Sequence, residues 1–230
     1  MMFVEIRTLL LVFGLLFSVS ATAQVMVDTE SLRLQFSENG DLLRAEACFP
    51  ACSESGAKTR VLSAGQGMLL FEQDDTPDLQ FSRDFNGDTT TLSFTGPSGE
   101  LVHRWLIPDK GWMLSLSSQG MTTAKLMSGE EFRPLPSSGF GKLLEQTRYL
   151  LFDGSSVESV GLDETEQVER VSQDWFGFRN RFWTAVVRPG PPLSIKPLTG
   201  EQVQDASLEM TAQDSGQNID LQLYLGPVEP

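Results

Sequence analysis

Two cysteines and one histidine are the side chains of this chain whose types lend themselves most directly to chemistry. Cys48 and Cys52 lie in Ala47-Cys48-Phe49-Pro50-Ala51-Cys52, a spacing that closes a tight loop around Pro50 when oxidised. A redox-active pair more often reads C-x-x-C at the start of a helix, and a zinc site needs further ligands that a single histidine does not supply. The expectation is therefore a structural disulfide, with no metal and no cofactor.

His103 lies in Leu101-Val102-His103-Arg104-Trp105-Leu106-Ile107, where alternation puts it on one face with Leu101, Trp105 and Ile107. That setting predicts a half-buried, hydrogen-bonded histidine rather than a general acid. No G-x-S-x-G elbow is present for serine-nucleophile chemistry. Asp84-Phe85-Asn86-Gly87-Asp88 has the outline of a calcium loop, but its glycine comes early and Thr95 stands where a bidentate glutamate belongs. A hairpin turn is the expected structure there, and the chain as a whole reads as a non-enzyme.

The elements that would position these residues are strands. Leu32, Leu34 and Phe36 alternate with Arg33 and Gln35, Asn39-Gly40 signals a hairpin, and Leu43, Ala45 and Ala47 alternate with Arg44 and Glu46 on the return. Further strands are expected at Met68 to Phe71, Leu79 to Ser82, Thr89 to Thr95, Leu101 to Ile107, Trp112 to Ser117, Ser207 to Thr211 and Ile219 to Leu225. Turn residues separate them, drawn from 20 glycines and 12 prolines. Ser118 to Asp174 reads instead as long loops carrying short strands, and it contains the acidic run Asp163-Glu164-Thr165-Glu166-Gln167-Val168-Glu169. Many short antiparallel strands with few short helices predict an all-β sandwich.

Length and charge bound the rest. The 230 residues suit one domain, and a net charge of -14 opposes nucleic acid and anionic lipid surfaces alike. At the start, Glu5 and Arg7 precede the apolar run Leu9-Leu10-Leu11-Val12-Phe13-Gly14-Leu15-Leu16-Phe17, followed by Ala21-Thr22-Ala23. This predicts a signal peptide over 1–23, cleavage before Gln24 and a mature domain over 24–230 in the periplasm. An uncleaved inner-membrane anchor is the alternative; a cleaved signal leaves no stable membrane insertion. The run falls short of the roughly 20 apolar residues that span a bilayer.

Trp175-Phe176-Gly177-Phe178-Arg179-Asn180-Arg181-Phe182-Trp183-Thr184-Ala185-Val186-Val187 is the densest aromatic stretch. Taken as one strand, it would put Phe176, Phe178, Phe182, Thr184 and Val186 on one face and Trp175, Arg179, Arg181 and Trp183 on the other. The second face pairs guanidinium with indole, either as an ordinary cation-π ladder or as a partner-binding surface.

This stretch resembles the tryptophan, aromatic-pair and alanine-rich strand near the end of the large periplasmic domain of YidC-type membrane insertases. The opening Asp28-Thr29-Glu30-Ser31-Leu32-Arg33-Leu34-Gln35-Phe36-Ser37-Glu38-Asn39-Gly40-Asp41-Leu42-Leu43-Arg44-Ala45 is similar to that domain's first hairpin, and Leu223-Tyr224-Leu225-Gly226-Pro227 to its closing strand. The three segments keep the family's order. The resemblance implies a β-supersandwich with galactose-mutarotase-like topology. In the insertases the closing Gly-Pro leads to membrane-embedded helices, whereas this sequence ends at Val228-Glu229-Pro230, so insertase activity is not expected. The reading is a non-enzymatic periplasmic interaction module that binds a protein or extended peptide of the cell envelope, possible translocon association included. A carbohydrate-binding or sugar-epimerase-like protein using the concave face is the alternative.

Overall fold

A computed structural model describes residues 24–62, 67–72, 78–129, 132, 147–152, 155–162, 169–199, 206–214, 216 and 218–228. The expected signal peptide and most of the acidic run after Leu162 lie outside the described residues. Along the chain the strands are β1 (Val25–Asp28), β2 (Leu32–Phe36), β3 (Leu42–Phe49), β4 (Lys58–Val61), β5 (Leu69–Glu72), β6 (Gln80–Phe85), β7 (Thr89–Thr95), β8 (Leu101–Pro108) and β9 (Met113–Ser118). They continue as β10 (Thr123–Met127), β11 (Arg148–Phe152), β12 (Val157–Gly161), β13 (Arg170–Ser172), β14 (Phe176–Arg179), β15 (Trp183–Pro189), β16 (Leu193–Thr199), β17 (Ala206–Ala212) and β18 (Ile219–Pro227).

These strands form two antiparallel sheets, the all-β sandwich that the alternation predicts. Sheet A runs β1-β2-β3-β5-β10-β17-β16-β13, with β4 also on β3; sheet B runs β12-β11-β14-β15-β18-β9-β8-β7-β6. Their inner faces meet in one core. Leu32, Leu34 and Phe36 from sheet A, and Ile219, Leu221, Leu223 and Leu225 from sheet B, are all sealed in it. At roughly 25 cal/mol per Å² of apolar surface, this burial is the main favourable term of the fold.

The Asn39-Gly40 hairpin forms, with one change from the simple alternation. Phe36 registers with Leu42 and Gln35 with Arg44, so Leu43 sits in a bulge and Leu42, not Leu43, joins the core. The turn itself is drawn inward. Ser37 Oγ accepts from the backbone N–H of Asn39 and Asp41 at 3.1 Å each, and Asp41 Oδ1 accepts from Phe71 N–H at 2.8 Å. Burial pushes the Asp41 carboxyl above the ordinary carboxylate range, while the bonds from Phe71 and Ser37 pull it back.

Two hydrogen bonds then tie sheet to sheet. The Trp105 indole N–H on β8 donates to the Gly40 carbonyl at 2.9 Å, and the Tyr149 hydroxyl on β11 donates to the Ser207 carbonyl on β17 at 3.1 Å. Burial holds the Tyr149 phenol above its ordinary pKa. At the far rim, Arg170 on β13 pairs with Glu158 on β12 at 2.7 Å, joining one edge of sheet A to one edge of sheet B.

Cys48 and Cys52 form the expected disulfide, with a Cα separation of 5.0 Å. A loop this short stabilises by about 2 kcal/mol at most. Among the described residues, no helix is long and apolar enough to cross a membrane.

Gly40 has φ +86, and a Cβ there would lie 3.0 Å from His103 Cδ2 and 3.2 Å from Phe94. Gly87 has a similar φ of +98 but nothing within 4 Å. Both alanine substitutions carry backbone strain of about 1 kcal/mol or more, and Gly40→Ala adds core crowding of about 1–3 kcal/mol. Urea unfolding should therefore place the Gly40→Ala midpoint well below that of Gly87→Ala; equal midpoints would mean the turn is not packed into the core.

Candidate functional site

The aromatic stretch is two strands, not one. Asn180 Oδ1 accepts from the backbone N–H of Phe182 and Trp183 at 2.8 Å each, a side-chain turn that folds β15 back on β14. Thr184 registers with Arg179, Ala185 with Phe178 and Val187 with Phe176. Phe176, Phe178, Trp183, Ala185 and Val187 are buried, while Thr184 and Val186 face outward.

The four residues expected on one face are thus separated. Trp183 is only 8% exposed and packs on Phe49, ring centroids 5.7 Å apart. Arg181 lies in the turn with its guanidinium 5.4 Å over the Phe182 ring, not over an indole. Arg179 is exposed at the end of β14, and Trp175 is half-buried just before it. Trp175 and Arg179 lie near a common surface; Trp183 belongs to the core, so it is not a solvent-facing anchor.

That surface is the outer face of sheet B near its β12 end. Leu150 on β11 registers with Gly177 on β14, and Gly177 registers with Val186 on β15. Gly177 contributes no side chain between them, and a Cβ there would run into the Ala185 carbonyl. A shallow hollow of about 230 Å³ results, lined by Leu150, Phe152, Val157, Trp175, Thr184 and Val186. It opens beside β12, the last strand of sheet B, which among the described residues pairs with β11. Val157 on that edge is 58% exposed.

One strand-row from the hollow, Arg148 on β11 registers directly opposite Arg179. Neither has a carboxylate partner among the described residues. Leu150, Phe152, Val157 and Arg148 were not among the sequence candidates. The signal available was the apolar run Tyr149-Leu150-Leu151-Phe152, which sits inside the stretch read as loops.

A second depression, about 430 Å³, is polar: Gln173, Arg188, Asp220, Gln222 and Ser115 are among its lining residues. Among the described residues no group of three or more histidine, cysteine, aspartate or glutamate side chains is arranged to hold a metal. Asp84 and Phe85 end β6, and Asn86 to Asp88 form the β6–β7 turn, in which Asn86 Oδ1 accepts from Thr89 N–H at 3.0 Å.

His103 differs from expectation. It is fully buried rather than half-buried, and neither ring nitrogen has a hydrogen-bond partner among the described residues. Its ring stacks on Phe71 at 4.6 Å and meets the Phe94 ring edge-on at 6.4 Å. Ser118, opposite it on β9, has a hydroxyl that is likewise buried and unpartnered. Aromatic packing has taken the place of polar satisfaction, and solvent does not reach this imidazole.

No protein-family model matches the chain, and no curated protein matches it. Among solved structures, the 4-alpha-glucanotransferase from Thermococcus litoralis is similar at 6% identity with a TM-score of 0.39. The likeness covers 91% of this chain and 38% of that one, so this chain spans well under half of that protein. At that level it assigns neither fold family nor activity.

Burial lowers the His103 pKa from 6.5 to about 4. A histidine lowered in the folded state contributes no penalty above its unfolded pKa and a growing one as pH falls towards its folded pKa. The stability lost over that window is roughly 3 kcal/mol, at about 1.4 kcal/mol per pKa unit. Urea unfolding of His103→Phe against the parent should show a flatter profile between pH 6.5 and 4; parallel profiles would mean the imidazole is hydrated or paired.

Proposed function

We propose that this chain is a non-enzymatic periplasmic interaction module, related to the periplasmic domain of YidC-type insertases, that binds a protein or extended peptide in envelope biogenesis. The observation that carries this is the apolar hollow at Trp175, which lies beside the exposed Val157 end of β12, the last strand of sheet B. An added strand would use backbone groups at the exposed Val157 end of β12 for affinity and the hollow for an alternate side chain. The relationship draws support from packing as well as order: two of the resembling segments are direct neighbours, with Trp183 registered to Pro227 and Thr184 to Gly226. The disulfide suits an oxidising compartment. Against turnover by an epimerase-like route stands the burial of the single histidine, which no substrate can touch.

Carbohydrate binding is the second reading, favoured by the donors and acceptors of the groove at Gln173, Arg188, Asp220 and Gln222. A photocrosslinking residue placed at Val157, and as a control at Lys196 on the outer face of sheet A, separates the two in cells. Protein adducts at Val157 only, reduced about tenfold by Trp175→Ser with Val186→Asp, are the expected result for a hot-spot contact. Adducts absent at Val157, together with saturable heat release on titration with hexose oligomers, would favour the carbohydrate reading.

A further inference from the structure

At the end of sheet B away from β12, every residue of β6 is exposed, and among the described residues β6 pairs with β7 alone. Phe81, Arg83 and Phe85 register with Phe94, Leu92 and Thr90, all buried, so they lie on the inward row of the sheet. Sheet A does not cover them. Its last strand, β1, meets this row where the Arg83 guanidinium donates to the Met26 carbonyl at 3.4 Å. Phe81, 42% exposed, and Phe85, 57% exposed, thus flank a cation on an overhanging edge. The hairpin decides which backbone groups face outward. Asn86 N–H bonds to the Thr89 carbonyl, and the alternation of an antiparallel ladder then turns the backbone of Asp84, Ser82 and Gln80 towards β7 and that of Phe85, Arg83 and Phe81 away from it. The Thr95 hydroxyl on the Gln80 carbonyl at 3.3 Å agrees with that assignment.

The strand is complementary to itself. Opposite residues of an antiparallel pair share a face, so a two-fold axis relating two β6 strands must pass beside a residue rather than between two. Centring on Arg83 or on Asp84 sets like charges opposite each other, and centring on Phe81 sets Asp84 opposite Asp78, which destabilises all three registers. Centring on Ser82 instead places Phe81 opposite Arg83, Gln80 opposite Asp84 and Leu79 opposite Phe85, each pair occurring twice. An inward-pointing charge ordinarily guards an edge against pairing. In this one register it meets an aromatic ring. With one cation and one anion, β6 is also neutral within a chain of net charge -14, so it brings two copies together without adding local repulsion.

We propose that β6 takes a second copy of this chain, the two strands pairing antiparallel about Ser82 with Arg83 of each copy facing Phe81 of the other, so that sheet B runs on from one copy into the next. The hollow lies at the other end of sheet B and stays open in both copies, so this proposal stands independently of the peptide-binding reading.

Sedimentation velocity of the full chain between about 1 and 200 µM should show a reversible monomer–dimer equilibrium, as suits a single strand edge smaller than a standard interface. The dimer should increase in roughly 0.5 M salt, where screening relieves the repulsion between acidic copies. Arg83→Glu with Phe85→Ser should weaken it about tenfold or more. Arg104→Glu, on an exposed position of β8, makes the same charge change as Arg83→Glu and should stay within about twofold of the parent in that salt. Circular dichroism confirms that each variant is folded. Register is read by cross-linking, since both native cysteines are already joined. Ser82→Cys faces its own copy and should form an interchain disulfide about tenfold or more faster than Gln80→Cys or Asp84→Cys, whose thiols face other residues. A chain that stays monomeric at every concentration would overturn the proposal. So would a dimer indifferent to the β6 substitutions, or equal cross-linking rates for the three thiols.

Discussion

The sandwich depends on polar atoms that cross its apolar core to hold one sheet in place on the other. Hydrophobic burial alone is non-directional, and two faces of leucine, phenylalanine and alanine could slide. The Trp105 indole on the Gly40 carbonyl, and the Tyr149 phenol on the Ser207 backbone, remove that freedom at two separated points. Each costs little once made and much if broken, because its partner would be left buried and unsatisfied. Gly40 permits the first by bringing a turn where a side chain would not fit. Tyr149 permits the second from β11, and in doing so fixes the strand whose opposite face carries Arg148 and Leu150.

The proposed surface therefore inherits its rigidity from the core. Tyr149 and Phe178 face inward in register, as do Leu151 and Phe176, and each inward pair sets an outward one. Arg148 with Arg179, and Leu150 with Gly177, follow without further choice. Period-two geometry converts the packing of the core into the pattern of the outer face. A change that slipped β11 by one residue would turn Arg148 inward and expose Tyr149.

Much of the architecture was legible because strict alternation leaves few options. Thr89–Thr95 and the four leucine and isoleucine positions of Ile219–Pro227 declare a strand and its inward face at once. The strand Leu193–Thr199 was hidden by Pro197, which would ordinarily argue against a sheet interior; β13 pairs β16 only as far as Ile195, so Pro197 lies beyond that pairing. Within the aromatic stretch Asn180 made the turn without the glycine or proline that signals one. The hollow was out of reach for a different reason. It is made by Gly177 lying between Leu150 and Val186, residues far apart in sequence that only the register brings together. His103 was placed on the correct face, yet its setting, with no polar partner among the described residues, depended on Phe71 and Phe94 arriving from elsewhere.

Amide and methyl chemical-shift mapping of the labelled protein, titrated with an extended peptide of alternating apolar residues, locates the binding surface without presuming any one residue's role. Perturbations should concentrate at Val157 and Glu158 on β12 and spread to Leu150, Gly177 and Val186, with protection from exchange gained by amides at the Val157 end of β12. Perturbations concentrated instead at Arg188, Asp220 and Gln222, or at the Phe49 and Cys52 end, with β12 unmoved, would contradict the assignment of function to this edge.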